Sequence, residues 1–347
     1  MLEFLLGSAG SFDAGERHVP PDEPDDGLHA DGNAAEFERY ARALRLRLPS
    51  PVEVHADELL RDKELEGAIR QDYLTHRPGP DSFPSMALQV ITLLGRDDVD
   101  IKKLAEMIQR DPGLTASLLR VVNSALYRGV SRMVSVRDAV ARLGLNESTR
   151  VAGAAAAKSL FDARGRSNTL PFVADFEALY INAVTCAVTA GWMAAQRPPL
   201  RIDHCYLGGL LHDIGRSVAL RSVASLRAQG LSELVPRSAR THRILDNLHV
   251  AIGTDVLKAW ALPEFAIEFA GRHHLSALTP GEIAPELQVV ALVSSLQLLR
   301  SAPAQHPGAA DDLLMSARAL QIDPKTLAVI DVERAKFETL ARHLAAL

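Results

Sequence analysis

Aromatic side chains are scarce in this 347-residue chain, at 5% of its residues. A core of ordinary size must therefore be built from Leu, Val, Ile and Ala. Cysteine is scarcer still: Cys186 and Cys205 are the only two. That excludes a disulfide framework and fits a reducing compartment, so a cytoplasmic protein is expected. No excess of positive charge is present either. The formal net charge is -5, which argues against a nucleic-acid binder working through bulk electrostatics. No apolar run reads as reaching the roughly 18 residues of a membrane span, so no span is expected. The opening Met1–Leu6 is apolar but short and lacks a basic flank, so it does not read as a secretory signal. Alternating strand-like runs bounded by turn pairs are nearly absent.

What the chain has is helical periodicity. Ile101, Leu104, Ala105 and Ile108 share one helix face, as do Leu114, Leu118, Val121, Val122 and Ala125. Ile252, Val256, Leu257 and Trp260 repeat the pattern, and so do Val289, Leu292, Val293 and Leu296. The expected fold is all-α, a multi-helix bundle. Hydrophobic residues at 47% and charged residues at 23% are those of a globular protein.

Four stretches are expected. Residues 1–32 read as a disordered acidic tail behind a short apolar start. From Asp13 to Asp31 there are seven acidic residues against one Arg, with Pro20, Pro21 and Pro24 among them. Leu2, Phe4, Leu5 and Leu6 form either a docking segment on that tether or a frayed end. Residues 33–82 read as a helical preface, its first helix capped by Asn33 and broken by Pro49 and Pro51. Residues 83–300 form the main body, divided near Arg164–Pro171 into 83–165 and 172–300. Residues 301–347 add C-terminal helices.

Chemistry concentrates in the second half of the body. Of twelve histidines, six lie between His204 and His274. His212 is followed by Asp213, His273 and His274 are adjacent, and His242, Asp246 and His249 share a helix face. Imidazole and carboxylate are the usual ligands of divalent transition metals, and separate helices of a bundle can each supply one. Singly, each histidine also reads as a packed residue with a hydrogen-bond partner. Gly208 and Gly209 before the His-Asp pair allow close helix approach, and Gly215 could end a helix in left-handed geometry. Elsewhere, Asn123 and Ser124 end an amphipathic helix, as a polar cap or as an interaction point between halves. Arg128, Arg132, Arg137 and Arg142 are either a solvated face or a phosphate-binding patch.

Several of these strings occur in an order that resembles a known family. Gly209-Leu210-Leu211-His212-Asp213-Ile214-Gly215 resembles the signature of the HD superfamily of metal-dependent phosphohydrolases. Asp111-Pro112-Gly113-Leu114, running on to Asn123-Ser124-Ala125-Leu126-Tyr127, resembles the motif of HDOD domains, as does Val136–Gly144. His249 to Gly253, Trp260-Ala261-Leu262-Pro263 and His273-His274 are similar to later motifs of the same family. The resemblance spans about Phe83 to Leu299. It implies an HD-like helical bundle with an additional N-terminal helical half, in a bacterial signalling protein that is a mostly non-catalytic relative of HD-GYP cyclic-di-GMP phosphodiesterases. It implies His212, Asp213, His249, His273 and His274 as ligands of one divalent metal ion. Two positions depart from the pattern of active relatives: Asn182 and Ser294 stand where a His and an Asp ligand are expected. The expected function is therefore a regulator that binds a signalling protein or a small nucleotide. The alternative is a degenerate or one-metal phosphohydrolase acting on a nucleotide or cyclic dinucleotide.

Overall fold

The computed structural model describes residues 29–46, 54–79, 86, 89–90, 93, 100–124, 127, 132–162, 167–277, 283–301 and 308–346. The apolar start and most of the acidic stretch lie outside the described residues, as does Arg128. The described residues contain thirteen α-helices and no strand.

The helices are α1 His29–Leu44, α2 Ala56–Thr75, α3 Ile101–Gln109, α4 Pro112–Val122 and α5 Val136–Ala157. Then follow α6 Val173–Ala195, α7 Ile202–Leu211, α8 Ile214–Ala228, α9 Ala239–Ala259 and α10 Glu264–Arg272. The last three are α11 Pro285–Ser301, α12 Ala309–Ala319 and α13 Pro324–Ala345. Side-chain caps set several of the starts. Asp100, Asp111, Ser135, Ser238 and Asp323 each accept a hydrogen bond from a backbone N–H in the first turn. Asp111-Pro112 is thus a cap followed by the proline whose fixed φ suits the first helical position. Asn33 caps nothing: α1 starts four residues earlier, and the Asn33 side chain accepts a hydrogen bond from Arg318 at 2.7 Å.

α6 is the spine of the second half and packs against α7, α11 and α13. Contrary to the expectation of no such run, the stretch Asn168–Ala195 is long and apolar enough to cross a membrane, and 78% of its most apolar window is buried inside the bundle. The chain tightens into 3-10 turns at Lys158–Phe161 and again at Ser167–Phe172, while 163–166 lie outside the described residues. α5 is itself broken at Gly144, whose φ of 77° L side chains rarely adopt.

The two halves of the body are joined by buried hydroxyl groups. Tyr206 donates to the Arg150 carbonyl at 2.7 Å, Tyr180 to the Ala154 carbonyl at 3.1 Å, and Ser217 to the Leu160 carbonyl at 3.1 Å. The two preface helices go to different places. α1 packs on α12 and α13, with Tyr40 donating to the Ile322 carbonyl at 2.6 Å, whereas α2 packs on α8 and α9.

Candidate metal centre

The His-Asp pair occupies the sharp turn between α7 and α8. His212 is the C-cap residue that follows α7, and Asp213 is the residue before α8. A carboxylate at a helix N-terminus lies at the positive end of the helix dipole. α8 and α9 approach so closely that a methyl group on Gly215 would overlap the His249 carbonyl oxygen. Gly215 therefore serves helix contact. It lies inside α8 and has no left-handed conformation, which among the described glycines belongs to Gly144 and Gly230. This contact brings His249 of α9 against Asp213. His273 and His274 enter from the turn that ends α10.

The five residues converge. Asp213 Oδ1 lies 3.4 Å from His249 Nε2 and 3.5 Å from His273 Nε2. His249 Nε2 is 3.3 Å from His273 Nε2 and 3.1 Å from His274 Nε2, and His212 Nε2 is 3.7 Å from Asp213 Oδ2. The opposite ring nitrogens are all engaged with acceptors. His212 Nδ1 donates to the Gly209 carbonyl at 2.9 Å, and His249 Nδ1 to the Asp246 carbonyl at 2.7 Å. His273 Nδ1 faces the Phe269 and Ala270 carbonyls at 3.2 Å, and His274 Nδ1 faces Asp312 Oδ2 at 3.2 Å. Two of these imidazoles thus use carbonyls left unpaired at the ends of α7 and α10. With each proton on Nδ1, four Nε2 lone pairs point at one another and at a carboxylate.

Burial keeps the buried rings neutral. It pushes His212 below its ordinary range, and His249 well below it, with Arg216 adding to the effect on His249. His273 is pushed down to about 4, by burial first and His274 second. Burial works the other way on Asp213, but Arg216 and then His212 hold its carboxyl well below the usual range. Asp213 Oδ1 is buried with no hydrogen-bond donor. A buried carboxylate oxygen among acceptor lone pairs is costly unless a cation joins them. Donor spacings of about 3.0 to 3.4 Å are the edges of an octahedron or tetrahedron with metal–nitrogen bonds of about 2.1 Å. The donors fall into two overlapping groups that share His273, namely His249, His273 and His274, and His212, Asp213 and His273, and the spacing within either fits a divalent transition-metal ion.

Charge points the same way. Three carboxylates, Asp213, Asp246 and Asp312, surround the cluster against one guanidinium, Arg216, which leaves two formal negative charges. Arg216 is buried, donates to Asp213 Oδ2 at 3.0 Å and pairs with Asp246. Sequence reasoning missed Arg216 and Asp312. Arg216 was readable as the residue one turn after Asp213 on a helix. Asp312 is 38 residues from His274, and nothing in the sequence links them.

The remaining site candidates sit apart. Asn182 is exposed on α6 and lines a 520 Å³ surface cavity with Gln297, Arg300 and Arg334 that includes none of the five clustered residues. Ser294 is buried in α11. Asn123 braces its own half: its amide donates to the Leu119 and Met133 carbonyls at 2.7 and 2.8 Å and accepts from Met133 N at 2.8 Å. That is the polar-cap role, with no bond to the second half. Ser124 lines a 630 Å³ cavity between α4 and the end of α13. Arg132, Arg137 and Arg142 are exposed.

Comparison with known proteins agrees with this architecture. An uncharacterized protein of Treponema pallidum (strain Nichols) is 26% identical over 219 residues, which is 61% of this chain. The chain spans 41% of the length of that relative. The crystal structure of an HDOD domain protein of unknown function from Geobacter sulfurreducens superposes with a TM-score of 0.58 at 21% identity, covering 81% of this chain and 98% of the other. A candidate metal-dependent phosphohydrolase from Shewanella amazonensis SB2B superposes with a TM-score of 0.53 at 20% identity, covering 82% and 100%. The HDOD domain family matches residues 81–276, more than half of the chain. A helical first half, a His-Asp turn and a paired-histidine turn in the family's order leave one assignment: the chain belongs to the HDOD domain family.

Proposed function

We propose that this HDOD protein is a non-hydrolytic regulator in bacterial cyclic-di-GMP signalling. In this reading its second half holds one divalent transition-metal ion on His212, Asp213, His249, His273 and His274, and its helical surface engages a signalling protein or a small nucleotide. The observation that carries the reading is Arg216. Its guanidinium occupies the second oxygen of Asp213 at 3.0 Å, inside the protein. A second cation reaching Asp213 would meet that buried positive charge, so a two-metal hydrolytic clamp is disfavoured. Asn182 and Ser294 offer neither imidazole nor carboxylate to compensate. The ion, when bound, supplies positive charge to a site of two negative charges. His212, His249 and His273 are buried, which resembles a closed structural site more than one with an open position. The buried thiols Cys186 and Cys205 are in keeping with action in the cytoplasm.

A one-metal hydrolase acting on a nucleotide or cyclic dinucleotide is the second reading. It is favoured by one edge of the cluster, where the Asp213 and His274 side chains are 16% and 27% exposed. The test pairs elemental analysis with an assay. Protein purified without chelator is expected to carry about one transition-metal equivalent, and to turn over cyclic-di-GMP far below the roughly 1 per second of ordinary enzymes. Metal-dependent turnover abolished by Asp213→Ala would overturn the regulatory reading.

A further inference from the structure

Asp312 lies on α12, beyond the 81–276 span of the family match. It is 1% exposed, and both of its oxygens are used. Oδ2 accepts from His274 Nδ1 at 3.2 Å, and Oδ1 accepts from the Ser276 backbone N–H at 2.5 Å. The carboxylate therefore fixes the ring of His274 and the turn that follows it. Burial opposes its ionisation, but hydrogen bonds from His274 and then Ser276 hold its carboxyl below the usual range. Histidines that bind metals donate their other N–H to such a group, which sets the tautomer and raises the basicity of the ligating nitrogen. His212, His249 and His273 use backbone carbonyls for this purpose. His274 alone among the four uses a charged side chain, and that side chain comes from another helix.

α12 packs on α11, on the short turn at Leu275–Ala277 and on α1. Arg318 of the same helix pairs with Glu36 and bonds Asn33 of α1. A chain of contacts therefore runs from His274 through Asp312 to α12 and on to the N-terminal helix.

We propose that Asp312 is a positioning residue that orients His274 for metal binding and ties occupancy of the centre to the order of α12. This rests on the metal-binding reading above. An ion that draws on His274 Nε2 strengthens the Nδ1–H bond to Asp312, so loading steadies α12. Losing the ion loosens it. The α1–α12 face is then a surface whose stability reports the state of the centre.

The test titrates metal-free full-length protein with Co2+, whose visible absorption reports its donor set. Asp312→Asn keeps the shape and removes the charge, and is expected to weaken Co2+ binding about 10- to 100-fold. Arg318→Ala loosens α12 without touching Asp312 and, because the coupling is reciprocal, is expected to weaken Co2+ binding by a smaller factor, about two- to fivefold. Hydrogen exchange supplies a second readout. Co2+ should slow exchange at 309–319 in the unaltered protein and do so far less in Asp312→Asn. Equal affinity of Asp312→Asn and the unaltered protein overturns the inference and leaves the metal reading standing. So does a loss in Arg318→Ala as large as that in Asp312→Asn, or unchanged exchange at 309–319 on loading. No Co2+ or Zn2+ binding by the unaltered protein overturns both.

Discussion

α9 carries two charged clusters a few turns apart, and they are built on opposite plans. Near its start, Arg240 and Arg243 hold the buried Asp62 of α2 at 2.9 and 2.8 Å, with Glu58 3.7 Å from Arg243. Two cations meet two anions, so the charges of this cluster balance. Two turns later, His249 and Asp246 join Asp213, Arg216, His273 and His274, and there the acceptors outnumber the donors. The first cluster fastens the preface helix to the body. The second is short of positive charge at its centre. A buried charge is tolerated when it is paired and hydrogen-bonded, and the shortfall at the second cluster is what the proposed ion would make up.

The largest effect that would test this contrast is at Gly215. A side chain there must force α8 and α9 apart at the His249 carbonyl. Gly215→Ala is expected to cost at least about 3 kcal/mol, the upper end for overpacking because backbone must move. It should also abolish metal binding, with the first cluster unaffected. A variant that unfolds at the same denaturant concentration as the parent would refute the close approach.

Next in size is a pair of substitutions, one in each cluster. Asp62→Ala should destabilise the protein by about 2 kcal/mol. That is below the 3 to 5 of a fully buried pair, because water reaches the two arginines. It should leave metal affinity unchanged. Asp213→Ala should cost the metal-free protein about 1 kcal/mol, since Arg216 keeps Asp246. It should nonetheless eliminate metal-induced stabilisation, which is about 2.7 kcal/mol at a hundredfold excess over Kd. Denaturant melts with and without metal separate the two. If both variants respond alike to metal, the clusters do not differ as described.

The smallest effect is expected at Asn123. Asn123→Ala removes three hydrogen bonds around the end of α4. It should cost about 1 to 2 kcal/mol and change neither metal uptake nor partner binding. Loss of partner binding with stability intact would restore Asn123 as an interaction residue.

Much of the molecule was legible in the sequence. Residues 104, 105 and 108 do line one buried face, as do 252, 256, 257 and 260, because helix period alone decides which side chains share a face. Exposed Ile101 shows the limit of that rule at a helix end. His212, Asp213, His249, His273 and His274 were legible too, through the resemblance of their short motifs to a family. The left-handed conformation assigned to Gly215 failed because a glycine before a helix and a glycine inside one look alike without the neighbouring helix.

Composition and periodicity by themselves determined an all-helical chain poor in aromatics, with histidines gathered in its second half. Both are local properties of the covalent chain. Only the tertiary structure decided that Arg216 sits against Asp213 and Asp246, that Asp312 reaches His274, and that Asn182 faces outward. It also decided that the apolar stretch ending at Ala195 is the spine of a bundle. These depend on which helix lies beside which, and that is set by close packing among residues far apart in sequence, where a missing side chain on Gly215 counts for as much as a charged one on Arg216.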